Sequence, residues 1–246
     1  MKPFIWVAIF TYVLSQSTFA KPLQHGLLDP LMRSLNDSSW GYKVVVASSA
    51  PAAYIERFEV RPGDCAASHG WNDCKEDRER SELSERHKTT HEGQTIWYHW
   101  QFYLPNQFIN IYPAKVALGQ FHQKNAKPAW IFELNDKGYA LVRHLRIKPN
   151  YEKPLIAWSS LTNRWHDIAV RVSWFKSNKG QLDVWVDKKR KVHYQGPTMS
   201  ADIIYFKYGL YRAFISRYQH SMPTQWVEYA NVCSATYSLL THGCPN

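Results

Sequence analysis

Three short segments of the chain place charged, amide, imidazole and phenol side chains at alternating positions. In the first, at positions 77–83, an extended strand puts Arg78, Arg80 and Glu82 on one face, because side chains two positions apart point the same way. Two guanidinium groups then lie beside a carboxylate that can hold them in place. A solvated surface often carries a charge run of this composition as well, so this segment alone does not define a site.

The second and third segments add groups that can transfer protons. Gln120 and His122 share a face within an otherwise apolar run. Lys207, Gly209 and Tyr211 share a face in the run at 205–212, where a glycine within a strand leaves room for something to approach the sheet. Imidazole and phenol side chains can act as general acids and bases, whereas cationic and amide groups stabilise negative charge.

Other basic residues are candidates for binding an anionic ligand on either side of these groups. Arg146 and His144 share a face in the run at 139–147, and Arg212 directly follows the third segment. They are equally explained as surface charges of a basic protein. The cluster at 187–191 is expected to form an exposed hairpin tip that adds long-range attraction for anions.

Aromatic and polar residues also alternate with apolar ones. At positions 180–186, Asp183 and Trp185 point away from an apolar face, and Trp97, His99 and Gln101 do the same at 95–102. Such a surface suits sugar rings, whose C–H faces stack on aromatic rings while their hydroxyl groups bind polar side chains. Trp185 is therefore a candidate sugar-binding residue, although any single tryptophan can equally fill a core.

The elements that must position these residues are short β-strands. Runs rich in Val, Ile, Tyr and Trp, which favour strands, are separated by turn signals such as that at 135–138. Strands are predicted at 42–47, 55–60, 81–86, 95–103, 115–123, 129–134, 139–147, 166–174, 181–186, 191–194, 203–211 and 226–235. The stretch 24–36 is predicted to be helical or irregular. The pattern predicts an all-β fold, an antiparallel β-sandwich of jelly-roll (concanavalin-like) type.

The first twenty residues have the pattern of a signal peptide. Lys2 precedes an apolar stretch, and small residues follow it up to Ala20, so we expect cleavage after Ala20 and secretion or export to the periplasm. The apolar stretch is too short and too interrupted for a membrane anchor. Residues 21–246 are then expected to form one domain, active as a monomer.

Composition narrows the class of partner. The 246 residues include 30 Lys and Arg against 20 Asp and Glu, a formal charge of +10, which favours a polyanionic partner. The content of 45% hydrophobic residues excludes a disordered chain. Export and the absence of nucleic-acid-binding motifs argue against a nucleic acid, which leaves an anionic membrane or an acidic polysaccharide as the class of partner.

Four cysteines in an exported protein indicate disulfides. We expect the two local pairs, Cys65 with Cys74 and Cys233 with Cys244, although four cysteines allow three pairings. No C-x-x-C or H-E-x-x-H spacing occurs, so no metal site is predicted.

The three segments resemble the signature strands of jelly-roll polysaccharide lyases. RSEL at 80–83, QFH at 120–122 and YFKYGLY at 205–211 are similar, in the same order, to the R-[ST]-E-L, Q-[IV]-H and Y-F-K-x-G-x-Y motifs of family 7 alginate lyases. Phe121 and Tyr208 depart from that pattern. The sequence at 56–65 and 77–82 resembles the related heparinase I and glucuronan lyase group more strongly than it resembles the family 7 alginate lyases.

This resemblance implies an activity and a role for each residue. The activity is β-elimination at a uronate, in which the C5 proton is removed and the O4-linked sugar leaves. Arg80 and Gln120 would hold the uronate carboxylate. His122 and Tyr211 would serve as base and acid, in an assignment that depends on the C5 epimer. Lys207 would lower the pKa of Tyr211 or bind a neighbouring uronate.

The resemblance implies no required cofactor, and it leaves room for a structural calcium ion. Five further residues are candidates for substrate binding: Arg78, Arg146, His144, Arg212 and Trp185. Glucuronan is the first expected substrate, followed by alginate and heparin-type glycosaminoglycans.

Two other functions fit the same predicted fold. A non-catalytic carbohydrate-binding module or lectin would need aromatic platforms without the Arg, Gln, His and Tyr constellation. A glycoside hydrolase would need two carboxylates flanking the scissile bond, but Glu79 and Glu82 lie on opposite faces of a strand.

Overall fold

The computed structural model describes residues 31–68, 70–85 and 90–244. Within them, the chain forms sixteen strands and three short helical turns. The strands are β1 (Leu31–Arg33), β2 (Tyr42–Val46), β3 (Tyr54–Val60), β4 (Ala67–Ser68), β5 (Trp71–Asn72), β6 (Arg78–Glu85), β7 (Thr95–Tyr103), β8 (Lys115–Gln123), β9 (Trp130–Leu134), β10 (Gly138–Arg143), β11 (Glu152–Ala157), β12 (Trp165–Ser173), β13 (Gln181–Val186), β14 (Lys189–Gln195), β15 (Ile204–Ala213) and β16 (Gln225–Ala235). The turns are two 3-10 helices, Trp158–Ser160 and Ile215–Arg217, and the α-helix α1 (Leu239–His242).

Two seven-stranded sheets face each other. The first sheet has the order β1-β6-β15-β8-β9-β10-β11, and the second has the order β14-β13-β12-β7-β16-β3-β2. Strands β4 and β5 form a separate hairpin. Neighbouring strands in both sheets are antiparallel. The predicted all-β antiparallel sandwich is therefore confirmed.

The predicted strand bounds agree best with the structure where apolar and polar residues alternate over a long run. Strands β7, β8 and β13 have the predicted bounds. The predicted strand at 139–147 ends at Arg143, and the prediction for 24–36 is wrong in its described part, where Leu31–Arg33 pairs with β6. The sequence analysis also missed β11, an edge strand whose Pro154 weakens a strand signal, and the two-residue strands β4 and β5.

Aromatic side chains fill the space between the sheets. In β7, Tyr98, Trp100 and Phe102 are buried, while Trp97 and His99 face outward, as the alternation predicts. The indole of Trp100 meets the Phe132 ring of the first sheet edge to face at 5.0 Å. Since such contacts cross the interface repeatedly, the core fixes which face of each strand points outward.

Gly209 is required by the backbone itself. Its φ is +128°, and a Cβ at this position would lie 2.8 Å from the Cα of Glu82. The pairing of β15 with β8 shifts register between Tyr208 and Tyr211 at the same place. The room predicted for an approaching ligand is therefore occupied by the neighbouring strand β6.

Both predicted disulfides are present. Cys65 bonds to Cys74 and closes the segment that contains β4 and β5, while Cys233 bonds to Cys244 and ties α1 to β16. The predicted signal peptide at 1–20 lies outside the described residues. Among the residues that are described, no helix has the length and apolar character needed to cross a membrane.

One carboxyl group is buried in the core between the sheets. Glu56 on β3 is 1% exposed and accepts hydrogen bonds from the hydroxyl groups of Tyr42 at 2.8 Å and Tyr208 at 2.8 Å. Burial raises the pKa of Glu56 to about 7, against the hydrogen bonds from the two tyrosines, which lower it. The carboxyl group is therefore an internal pH-sensitive element of the fold.

We expect the contribution of Glu56 to stability to fall as the pH rises from about 4.5 to about 7, because the buried Glu56 is stable in its protonated form. His122, whose pKa is lowered to about 4, makes the opposite contribution over much of this range, so the Glu56 contribution is read from the difference between wild type and a Glu56 variant. Glu56→Gln should remove this pH-dependent contribution to stability, which the size of the Glu56 pKa shift sets at about 3 kcal/mol. Chemical denaturation of both proteins across this range measures the difference. Glu59→Gln, on the opposite face of β3, controls for the loss of one negative charge. A difference between E56Q and wild type that does not change with pH would contradict the assignment.

Candidate active site

A cleft of about 690 Å³ lies on the outer face of the first sheet. Its floor is formed by the central strands β6, β15 and β8, and one side is formed by β9. The cleft is lined by Ser34, Leu35, Trp71, Arg78, Arg80, Lys115, Ala117, Gln120, His122, Gln123, Asn125, Ala126, Lys127, Pro128, Ile131, Glu133, His144, Tyr205, Lys207, Tyr211, Ala213 and Phe214.

Strand register brings the three sequence segments together. Tyr211 on β15 is paired with Arg80 on β6, and Lys207 on β15 is paired with Gln120 on β8. His122 also lies on β8 and lines the cleft. Because β15 runs between β6 and β8, these residues form one continuous patch that the sequence presents only as separate motifs.

Glu82 lies at the centre of this patch. It is 2% exposed, and its carboxylate accepts hydrogen bonds from Arg80 at 3.1 Å, Lys207 at 2.8 Å and Gln120 at 2.5 Å. Burial opposes ionisation, but Lys207 and Arg80 outweigh it and hold the pKa of Glu82 below its usual value. The three side chains are therefore fixed by one buried anion, and each comes from a different strand.

Arg80 is held from a second side by Asp73. Its Nε and Nη2 atoms donate to the two Asp73 carboxylate oxygens at 2.6 and 2.5 Å. Together with the Nη1 bond to Glu82, the described contacts use three of the five N–H groups of the guanidinium. Two N–H groups of an oriented cation thus remain to bind a carboxylate in the cleft.

His122 is neutral and has a defined tautomer. Its Nδ1 lies 2.9 Å from the carbonyl oxygen of Gln123, which can only accept, so Nδ1 carries the proton and Nε2 has a free lone pair. Burial, and then the charge of Lys207, lower the pKa of His122 to about 4. His122 is therefore an unprotonated base over the neutral pH range.

Tyr211 is a protonated phenol beneath Arg80. The guanidinium carbon of Arg80 lies 4.5 Å from the centre of the Tyr211 ring. Burial raises the pKa of Tyr211, while Arg80 and then Arg78 act in the opposite direction. Tyr211 can thus donate a proton, and the arginine above its ring stabilises the phenolate if the proton leaves. Lys207 is bound to Glu82, and the net shift of the Tyr211 pKa is upward. That Lys207 lowers this pKa or binds a neighbouring uronate stays a prediction.

Two further predicted residues line the cleft. The Arg78 guanidinium lies 4.0 Å from the centre of the Phe214 ring. His144 lies 3.9 Å from Glu133, which also binds Lys115 at 2.8 Å. These residues surround the central patch without contacting Glu82 in any described hydrogen bond.

The structure does not bring Arg212, Arg146 or Trp185 to the cleft. Arg212 is fully buried on the core face of β15, where it forms an ion pair with Glu79 at 2.6 Å and donates to the carbonyl of Pro223 at 2.6 Å. Arg146 is exposed beyond the end of β10. Trp185 lies on the outer face of the second sheet and stacks on Trp97 at 5.3 Å. Their predicted contribution to substrate binding is therefore corrected.

Several cleft residues escaped the sequence analysis. Tyr205 stacks on His122, with its hydroxyl oxygen 3.0 Å from Nδ1, and burial raises the pKa of Tyr205 to about 12. The sequence feature that could have identified Tyr205 is its position in the third segment, two residues before Lys207. Trp71 and Lys127 carried no such signal, since neither belongs to a long strand.

The lining of the cleft carries an excess of positive charge. Five of the lining residues are Lys or Arg, and three of these are paired with carboxylates: Arg80 with Asp73 and Glu82, Lys207 with Glu82, and Lys115 with Glu133. Because a cleft with low-dielectric walls concentrates the field of its charges, this lining attracts anionic ligands.

The described residues contain one cluster of three potential metal ligands, formed by His99, Cys233 and Cys244. The two cysteines are joined in a disulfide, so they offer no thiolate to a metal. The cluster lies on the second sheet and does not line the cleft.

The fold is a β-sandwich of two antiparallel sheets, and the cleft lies on the outer face of the first sheet. The polysaccharide lyase family model matches residues 23–231, and the chain therefore belongs to the polysaccharide lyase family and is a lyase. This confirms the resemblance seen in the three segments. A search of curated protein sequences found no significant match.

Solved structures of lyases share the fold. An endo-β-1,4-glucuronan lyase from the fungus Trichoderma reesei aligns with a TM-score of 0.64 and 14% identity, over 85% of this chain and 91% of that one. The family 7 alginate lyase AlgAT5 aligns at 0.57 and 13% identity over 81% and 83% of the two chains. An alginate lyase from Corynebacterium sp. aligns at 0.52 and 17% identity over 81% and 82%. The jelly-roll prediction is thereby confirmed.

We expect NMR titration to find His122 in the Nδ1-protonated tautomer with a midpoint near 4. Lys207→Met should raise that midpoint, because it removes a positive charge that opposes protonation and leaves Glu82 to favour it. Lys43→Met, on the second sheet, controls for the loss of one charge. A proton on Nε2, or a midpoint unchanged by K207M, would refute this electrostatic description.

Arg212→Met should destabilise the protein by about 3 to 5 kcal/mol, because it leaves Glu79 buried without its partner. Adding Glu79→Gln to this variant should restore part of the stability. Urea denaturation provides the measurement, with Arg146→Met as the exposed control. If R212M kept wild-type stability and only weakened ligand binding, the core assignment of Arg212 would be wrong.

Proposed function

We propose that this lyase cleaves a uronate-containing anionic polysaccharide by β-elimination and leaves a 4,5-unsaturated uronate at the new end. The observation that carries the proposal is the single patch in which Arg80, Gln120, His122 and Tyr211 meet. These groups can neutralise a carboxylate, remove a proton and donate one, which are the three requirements of the reaction.

Neutralising the carboxylate is the first requirement. The C5 proton of a uronate is hardly acidic while the adjacent carboxylate is charged, so a site must stabilise the enolate-like dianion that develops. The two remaining N–H groups of Arg80 and the second amide N–H of Gln120 are available for this role. Asp73 and Glu82 fix their positions in advance, which lowers the cost of reorganisation during the reaction.

Proton removal follows from the state of His122. In the free protein its pKa of about 4 keeps Nε2 unprotonated. A uronate carboxylate bound beside Lys207 would offset the positive charge that lowers this pKa, so substrate binding itself would make the imidazole a stronger base. Tyr211 would protonate the leaving O4 atom.

The epimer at C5 decides how the two groups divide the work. In glucuronate or mannuronate the C5 proton and O4 lie on the same side of the ring. Once its phenol has lost its own proton, a state that the guanidinium of Arg80 above the ring stabilises, Tyr211 could remove the C5 proton and deliver it to O4. In iduronate or guluronate they lie on opposite sides, and His122 would be the base with Tyr211 as the acid. The substrate we rank first is glucuronan, because the sequence at 77–82 is most similar to that group and a glucuronan lyase shares the fold. Alginate and heparin-type polymers come next.

We also propose that the protein acts outside the reducing cytoplasm as a monomer. The two disulfides support an oxidising compartment, and the leader-like segment at 1–20 supports export. The elimination as written uses protein side chains and requires no cofactor.

The test is to incubate the protein with glucuronan, mannuronate-rich and guluronate-rich alginate, and heparin, and to follow the ultraviolet absorbance of the new double bond. We expect product from at least one uronate polymer, and His122→Ala/Tyr211→Phe should lower its rate by roughly 10²-fold to 10⁴-fold. Tyr112→Phe, at an exposed tyrosine outside the cleft, should keep the wild-type rate.

The single variants report the stereochemistry. With a glucuronate polymer, Y211F should remove most activity and H122A less, whereas with a guluronate polymer both should be severely impaired. The proposal is refuted by absence of product across the panel, or by a double variant that is as active as wild type. Polymer binding without any product would favour the carbohydrate-binding module instead.

A further inference from the structure

The loop closed by Cys65 and Cys74 places an indole at the cleft. Trp71 on β5 is 42% exposed, although it lines the same cleft as Arg80 and Tyr211. Exposure of its apolar ring to water is unfavourable in free energy, and a ligand that covers the ring would remove this penalty. The proposed acid-base chemistry does not use it.

The orientation of this indole is fixed by the same carboxylate that holds Arg80. Trp71 Nε1 donates to Asp73 Oδ1 at 2.7 Å, and both Asp73 oxygens bind the Arg80 guanidinium. Asp73 is fully buried, and its backbone N–H donates to the carbonyl of Ala66 at 2.9 Å. A ring held in this way loses little conformational freedom when a ligand stacks on it.

The surroundings of Trp71 match the chemistry of a uronate ring. An indole face binds the C–H face of a pyranose. Arg78 lines the same cleft and rests on Phe214, so a guanidinium other than that of Arg80 is available to the carboxylate of a neighbouring uronate. The combination of a flat apolar ring with this cation suits a charged sugar better than a neutral one.

We propose that Trp71 is the stacking platform of a separate sugar subsite, which holds a uronate residue adjacent to the one that reacts. This proposal rests on the proposed lyase function, since it assigns the subsite to the same polymer chain. Asp73 accepts hydrogen bonds from both Trp71 and Arg80, so the subsite lies directly beside the reacting centre.

The kinetic test compares Trp71→Ala, Trp71→Phe and the control Trp226→Ala, whose indole lies on the second sheet. With the polymer cleaved by wild type, W71A should raise KM roughly 3-fold to 10-fold with little change in kcat, because stacking is lost from binding. W71F keeps an aromatic face and should lie within about twofold of wild type. W226A should match wild type.

The binding test removes catalysis from the readout. In the H122A/Y211F background, native gel electrophoresis through each uronate polymer of the panel should show retardation that W71A weakens and W71F preserves. If no polymer yields product but W71A still loses retardation, the lyase proposal fails and the subsite stands. Equal KM and equal retardation for W71A and W226A would overturn the subsite. So would a fall in kcat alone with unchanged retardation, because Trp71 would then act only by holding Asp73.

Discussion

The cleft depends on the buried carboxylate of Glu82. Arg80, Lys207 and Gln120 come from three strands, and the two cations would be costly to bury without an anionic partner. Glu82, together with Asp73 at Arg80, offsets the two charges, and it also sets the distances between the three side chains. Loss of this single anion would therefore disorganise the whole patch, whereas loss of Arg78 or Lys127 at the rim would remove only its own contribution.

The same network explains how opposite acid-base states coexist in one cleft. His122 is kept without its proton by burial and by Lys207, while Tyr211 keeps its proton because burial disfavours the phenolate. One environment that penalises charge thus leaves a base and an acid side by side. Glu82 neutralises much of the positive charge of its neighbours. The attraction that the cleft exerts on an anionic substrate therefore comes mainly from unpaired N–H groups and from the residues at the rim.

Much of this site follows from strand periodicity. Alternation alone predicted that Arg80 shares a face with Glu82, Gln120 with His122, and Lys207 with Tyr211. The pairing that joins their three strands is seen only in the fold. Arg212 directly follows Tyr211, so the same alternation places its side chain on the opposite face, in the core. The sequence analysis did not apply this rule to Arg212. Trp185 faces outward as predicted, but which sheet it belongs to depends on long-range pairing that no local pattern contains. Trp71 and Asp73 lie in a loop whose position is set by a disulfide and by tertiary contacts.

The disulfide between Cys65 and Cys74 has a consequence for making the protein. The aromatic core lies between the two sheets, whereas the loop that carries Asp73 lies outside this core and is closed by this bond. Because a disulfide restricts the positions open to the chain it closes, its loss would leave Asp73 less firmly placed. Asp73 holds Arg80 through two hydrogen bonds, so protein made in a reducing cytoplasm would lose order first at this arginine.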